Sequence, residues 1–230
     1  MLPGFFFFRG PRLKLEFGSR RRRRLRVAVV ALEGSSPSDL RRALALARPY
    51  DRNASLVAVD GGLKTCRAIR RRPDLFVGDL DSAQRPPRDV DVRIYPIEKD
   101  FSDFAGALRE IKKRGADVVV IAGLLGGRLD HEWANLLEIG QAAEMFSGIL
   151  APSERGLVAV TASSLRAKTT PRRLVSLFAA GRGARVSLLG TWWELGRAWL
   201  APGSLGLSNV TGDALALTVH EGVAVVVFPE

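Results

Sequence analysis

The sequence predicts an α/β protein: a three-layer, mostly parallel sheet domain over residues 26–167, then a small antiparallel, sandwich-like β domain over residues 172–230. Three observations lead there. Strand-like and helix-like stretches alternate from residue 26 onward, the order that winds into a parallel sheet covered on both faces. The first strand candidates are continuous β-branched and apolar runs, as strands buried on both faces require. After about residue 172 helical periodicity stops, and short apolar runs separated by Gly-rich turns take over.

The elements follow in order. RVAVVAL (26–32) reads as a buried strand, and Pro37 to Arg48 as a helix with Ser36 or Ser38 placed to cap it. SLVAVD (55–60) is the next strand, followed by a short helix in GGLKTCRAIRRR. LFVGDLDS (75–82) and VRIYPI (92–97) are further strands. FSDFAGALREIKKRG carries Phe104, Leu108 and Ile111 on one stripe and stops at Gly115. DVVVIAG (117–123) is a strand, Asp130 can cap a helix running to about Met145, and GLVAVTA (156–162) adds one more strand. KTTPRR (168–173) is the expected linker. Beyond it LVSLFAAG, ARVSLLG, LGLSNV, ALALTVH and GVAVVVF are the strand candidates of the β domain.

The 230 residues are 47% hydrophobic and 26% charged, which suits one large folded domain or two smaller ones. No apolar run approaches the ~18 residues of a membrane span. The single cysteine, Cys66, cannot form an internal disulfide, which fits a reducing cytoplasm. Three Asn, two Gln and many Arg hint at a hot or GC-rich source. The net charge of +11 invites a nucleic-acid reading, but residues 1–26 hold nine Lys/Arg against one acid, Glu16. Eight of the eleven net charges therefore belong to residues 1–25 and their junction, expected to be a solvated basic tail, and not to a binding face of the body. The Arg run before VAVVAL mimics a signal peptide but lacks a small-residue cleavage site, so export is not expected. At most a weak contact of the tail with nucleic acid or a membrane surface remains.

The acids fall in a pattern. Asp60, Asp79, Asp81 and the pair Asp100 and Asp103 lie after predicted strands, as do Arg128, Asp130 and His131, on the edge where open α/β sheets bind ligands. Any one of them alone reads as a solvated turn former. Together, Asp60, Asp79, Asp81 and Asp103 would repel strongly without a cation, and hard oxygen ligands of this kind suit Mg²⁺. Lys99 and Arg128 supply positive charge for phosphates, and the glycines at 61–62 and 126–127 let backbone N–H groups approach an anion. The combination points to Mg-nucleotide chemistry without a Walker A loop, a G-x-G-x-x-G fingerprint or a G-x-S-x-G elbow. His131 and Glu132 start like the zinc signature H-E-x-x-H, but Asn135 stands where the second His belongs.

Asp60-Gly61-Gly62, PDLFVGDLDS (73–82), KDFSD (99–103) and GGRLDHEWAN (126–135), in that order, resemble the motifs of the thiamine pyrophosphokinase family. GTWWEL (190–195) and LSNV (207–210) resemble its C-terminal G-x-x-W-x-L and S-N-E stretches, and the likeness covers about residues 27–228. The resemblance implies transfer of the β,γ-diphosphate of ATP to the hydroxyethyl group of thiamine, with release of AMP, by a homodimer whose acceptor site involves the β domain. It implies Asp79 and Asp81 as leading Mg²⁺ ligands with Asp60 and Asp103 next, and Ser82 within the nucleotide-binding motif. Lys99 and Arg128 would hold phosphates, Asp130 would cap its helix, and His131 would contact nucleotide or pack. Asp100 is either a ligand or the hydroxyl-activating base. Trp193 would stack on the thiamine pyrimidine with Ser208 and Asn209 nearby; core packing is the competing reading for Trp192, Trp193 and Trp199. Two departures stand out: Ser102 replaces a Thr, and Val210 replaces the Glu that follows Ser-Asn. A pyrophosphokinase acting on a hydroxymethyl-pterin, and a non-enzymatic nucleotide- or thiamine-binding regulator, are the alternatives.

Overall fold

A computed structural model describes residues 14–18, 25–79, 86–96 and 98–230. Asp81 and Ser82 lie outside the described residues. Six strands form the parallel part: β2 (Val27–Ala31), β3 (Ser55–Val59), β4 (Leu75–Gly78), β5 (Asp91–Ile94), β6 (Val118–Ala122) and β7 (Gly148–Ser153), in the spatial order β7-β6-β2-β3-β4-β5. Between them run α1 (Pro37–Ala47), α2 (Gly62–Ala68), α3 (Asp103–Lys113) and α4 (Leu129–Ala142).

The period of two along each strand decides which helix covers which face. Val29 and Ala31 of β2 pack in one core with Leu40 of α1 and Leu63 of α2. Ala28 and Val30 pack in the other with Phe104, Leu108 and Ile111 of α3 and Ile139 of α4. The three layers follow from strands that are apolar on both sides. Local signals set the helix ends. Ser36 and Asp39 form a reciprocal capping box on α1, Ser102 caps α3 through its hydroxyl, and Gly115 (φ +81°) lies just past the α3 C-cap. The expected cap at Asp130 is corrected: Arg128 occupies the N-cap position of α4 without a side-chain cap bond, and Asp130 lies inside the first turn.

The β region continues this sheet. β8 (Gly156–Thr161) turns back antiparallel on β7, and β12 (Gly206–Pro229) pairs antiparallel with both β8 and β9 (Ser164–Lys168). β10 (Leu174–Thr191) and β11 (Leu195–Leu200) form an antiparallel pair off that path. From Ser176 to Leu189 the partners of β10 descend along β12 from Val227 to Ala216, the sense of an antiparallel ladder. Leu165, Val175, Val186, Leu215 and Leu217 share one buried cluster with the α1–α2 face of the parallel sheet. A boundary at 168–173 therefore does not separate two cores, and that stretch is stitched in by Thr169 N–H to Asp213 O and by Thr211 Oγ1 to Thr170 O.

The expected solvated tail also needs correction at residues 14–18. β1 (Lys14–Phe17) pairs antiparallel with β9, Leu15 is fully buried, and the buried Tyr50 hydroxyl donates to Leu15 O at 3.1 Å. KLEF alternates polar and apolar, so one face of this short strand serves the core although arginines follow it.

Candidate active site

The chain order places the site. From β2 the sheet grows through β3, β4 and β5 on one side, then returns through α3 to β6 on the other side of β2. β2 and β6 therefore flank the topological switch point at the carboxyl edge, and their loops meet there. Glycines line the contact: a Cβ on Gly34 would lie 3.2 Å from both the Cα and the N of Gly127. The β2 and β6 loops touch backbone to backbone there.

On the same carboxyl edge the structure brings Asp60, Asp79, Asp103 and Lys99 into one electrostatic group. Asp60 ends β3 in the left-handed region (φ +46°), which Asp tolerates better than most residues and which turns the chain into α2. Its carboxylate lies against β4, where a Cβ on Gly78 would come within 2.2 Å of Asp60 Oδ1. Burial, then the charges of Asp103, Asp79 and Glu33, push the Asp60 pKa up to about 7, with Lys99 pulling the other way. Asp103 begins α3, where the helix dipole favours an anion, and its Oδ2 pairs with Lys99 Nζ at 3.0 Å. Both side chains are nearly buried, at 12% and 10% exposed. Lys99 Nζ is also held by Pro96 O at 3.1 Å. Asp103 Oδ1 is buried with no hydrogen-bond partner among the described residues. Asp100 is exposed at the same loop.

The opening of α4 is arranged separately. Arg128 Nη2 and Nε reach Asp130 at 2.6 and 3.2 Å, and this exposed pair holds the Asp130 carboxyl below its usual range, chiefly through the hydrogen bond. Gly126 (φ +106°) donates its N–H to the Glu132 carboxylate, so Glu132 braces the loop. His131 is exposed. Glu33 links the two groups: it raises the pKa of both Asp60 and Arg128 through its charge. Sequence reasoning passed over Glu33 and Gly34. The available signal was an acid and a glycine directly after the buried run of β2.

Trp193, Ser208 and Asn209 form a second cluster. Asn209 is buried and its amide is fully engaged: Oδ1 accepts from Trp193 N and Val210 N, and Nδ2 donates to Trp193 O and Thr191 Oγ1. Ser208 adopts φ +61°, and its N–H donates to Ser176 Oγ. These bonds hold Trp193 with its ring 61% exposed and edge-on to Trp192, so neither tryptophan is core packing. Trp199, also partly exposed, lies under Arg185.

A cation is the natural complement of the acidic group. A buried, undonated carboxylate oxygen and a carboxyl held near neutrality by its neighbours both fit a divalent ion. Among the described residues no three acids, His or Cys already stand at mutual metal-binding distances; Asp81 lies outside them.

Residues 47–146 match the model of the family "Thiamin pyrophosphokinase, catalytic domain". Among solved structures, thiamine pyrophosphokinase from Bacillus subtilis is 17% identical with a TM-score of 0.71, covering 89% of this chain and 99% of that one. The enzyme from Geobacillus thermodenitrificans is 21% identical with a TM-score of 0.68, covering 89% and 97%. That from Candida albicans is 11% identical with a TM-score of 0.68, covering 90% of each. At these identities the likeness carries the fold. No curated protein matches in sequence. The match spans 100 of the 230 residues, and Asp60, Asp79, Lys99, Asp103 and Arg128 all lie within it.

Proposed function

We propose that this site transfers the β,γ-diphosphate of ATP to the hydroxyl of thiamine and releases AMP. The observation that carries the reading is the convergence of Asp60, Asp79 and Asp103 with Lys99 at the carboxyl edge of a parallel sheet. Asp60, Asp79 and Asp103, with Asp81 added by the family motif, would hold Mg²⁺. Bound there, the ion would neutralise phosphate charge and polarise the phosphorus under attack.

The chain's own groups do the rest. Lys99, pinned by Asp103 and by Pro96 O, presents a fixed positive charge at the edge where the triphosphate enters. Arg128 is exposed and paired only to an exposed neighbour, so it can exchange Asp130 for a phosphate at little cost. Gly126 and Gly127 keep that edge free of side chains. Asp100, exposed next to Lys99, is the candidate to take the proton of the acceptor hydroxyl.

The acceptor belongs with Trp193. Its exposed ring offers a π face to a cationic heteroaromatic, and Asn209 serves by fixing the Trp193 backbone. Exposed Leu129, Trp133 and Leu137 on α4 leave an apolar surface that suits the homodimer the resemblance implies.

The test is a product analysis. With Mg²⁺, ATP and thiamine, ³¹P NMR should show AMP and thiamine diphosphate rising together. ADP and a monophosphate would refute diphosphate transfer, and turnover only with hydroxymethyl-pterin would move the acceptor.

A further inference from the structure

The carboxyl edge is not where the fold gathers its arginines. At the opposite edge, ahead of β3 and β4, Arg41, Arg48, Arg52 and Arg71 line one cavity of about 500 Å³. They arrive from three places: α1 and its C-cap, the turn before β3, and the loop between α2 and β4. All four are exposed, and none has an ion pair among the described residues. The one acid in the lining, Asp51, is oriented by backbone, its carboxylate accepting from Val27 N at 3.3 Å and Asn53 N at 3.0 Å.

Four guanidinium groups against one carboxylate leave the hollow with a net positive charge that favours an anion. The body as a whole carries a small net charge, so the convergence is local and not a by-product of a basic protein. Guanidinium forks match phosphate oxygens in pairs, and several forks from different directions favour a ligand with several phosphates over a lone carboxylate. The volume is that of a small-molecule pocket, and Leu44 gives it an apolar wall.

We propose that this cavity is a second anion site that binds an oligophosphate, separate from the catalytic edge. The ligand is either a free phosphate chain or the phosphate tail of a nucleotide.

The test is calorimetric titration of the full chain with sodium tripolyphosphate in EDTA at low salt, which removes metal-dependent binding. The Lys99→Ala/Arg128→Ala double variant should bind as the wild type does. Arg48→Ala/Arg71→Ala should weaken binding by about tenfold or more, and Arg41→Gln/Arg52→Gln should do the same through side chains of similar length. Raising the salt severalfold should weaken the wild type. ATP in place of tripolyphosphate separates the sources: equal affinity identifies the phosphate chain as the whole ligand, and tighter binding adds a base against Leu44. Absence of binding by the wild type overturns the proposal. So does loss only in the Lys99/Arg128 variant, or unchanged affinity in both arginine variants.

Discussion

Asp60→Asn should make the metal-free protein more stable at neutral pH and above, while removing its response to Mg²⁺. The Asp60 carboxyl has its pKa moved from 3.8 to about 7 by burial and by Asp103, Asp79 and Glu33. A raised acid pKa means that the folded state holds the proton more tightly than the unfolded chain. The corresponding stability is therefore fully present below about pH 4 and is lost as pH rises through about 7. At ~1.36 kcal/mol per pKa unit the ceiling is ~4 kcal/mol, and partial solvation of the carboxylate reduces the expected value to about 1–2 kcal/mol. Asparagine is the apt replacement because it tolerates the φ of +46° found here and removes the charge alone. In EDTA, urea unfolding between about pH 5.5 and 8.5 should show the wild type losing about 1–2 kcal/mol that the variant keeps. Near pH 8 the variant should melt about 3–6 °C higher, the shift expected for a chain of this length. Added Mg²⁺ should raise the wild-type melting point and leave the variant unmoved. Parallel pH profiles for the two proteins would refute the idea that burial and neighbouring carboxylates hold the Asp60 proton.

Three further outcomes follow from the same geometry. Leu15→Ala should cost about 2–4 kcal/mol in denaturant unfolding although it lies in the basic N-terminal region, because Leu15 is fully buried and β1 is bonded to β9; no change would show that β1 contributes nothing. Asn209→Ala should cost about 2–4 kcal/mol and raise the thiamine KM, since it strands the Trp193 and Val210 N–H groups; an unaltered melting point would contradict its bracing role. Trp193→Ala should raise the thiamine KM roughly tenfold and leave the KM for ATP alone, as loss of a stacking contact at an exposed ring would do.

Most of the parallel half of the fold was legible because its signals were local, although β7 was not read as a strand. Continuous apolar runs marked β2, β3, β4 and β6, and Ser36 and Gly115 marked helix ends that the structure places within a residue or two. The β half was less legible. β10 and β12 run for 18 and 24 residues through bulges at which the register shifts, so what reads as five short strands is two long ones. β9 alternates in burial with charged residues between, β11 is mostly exposed, and β1 hides in a segment whose composition says tail. At the candidate site, motif spacing put Asp60, Asp79, Asp103 and Lys99 on one sheet edge, since each follows a strand. It missed the Glu33 loop, which faces Gly127 only because β2 and β6 are neighbours, a pairing set by topology 90 residues apart. It also gave Asn209 a place beside the ligand when its amide is consumed by the fold. Asp81 and Ser82 fall outside the described residues, so their motif rests on sequence alone.

The most direct measurement is Mn²⁺ binding in the presence of a non-hydrolysable ATP analogue, followed by electron paramagnetic resonance. The wild type should bind ion and nucleotide together, and Asp79→Asn and Asp103→Asn should each weaken the ion by about tenfold or more while remaining folded. Wild-type Mn²⁺ affinity in both variants would mean that these carboxylates do not surround the cation.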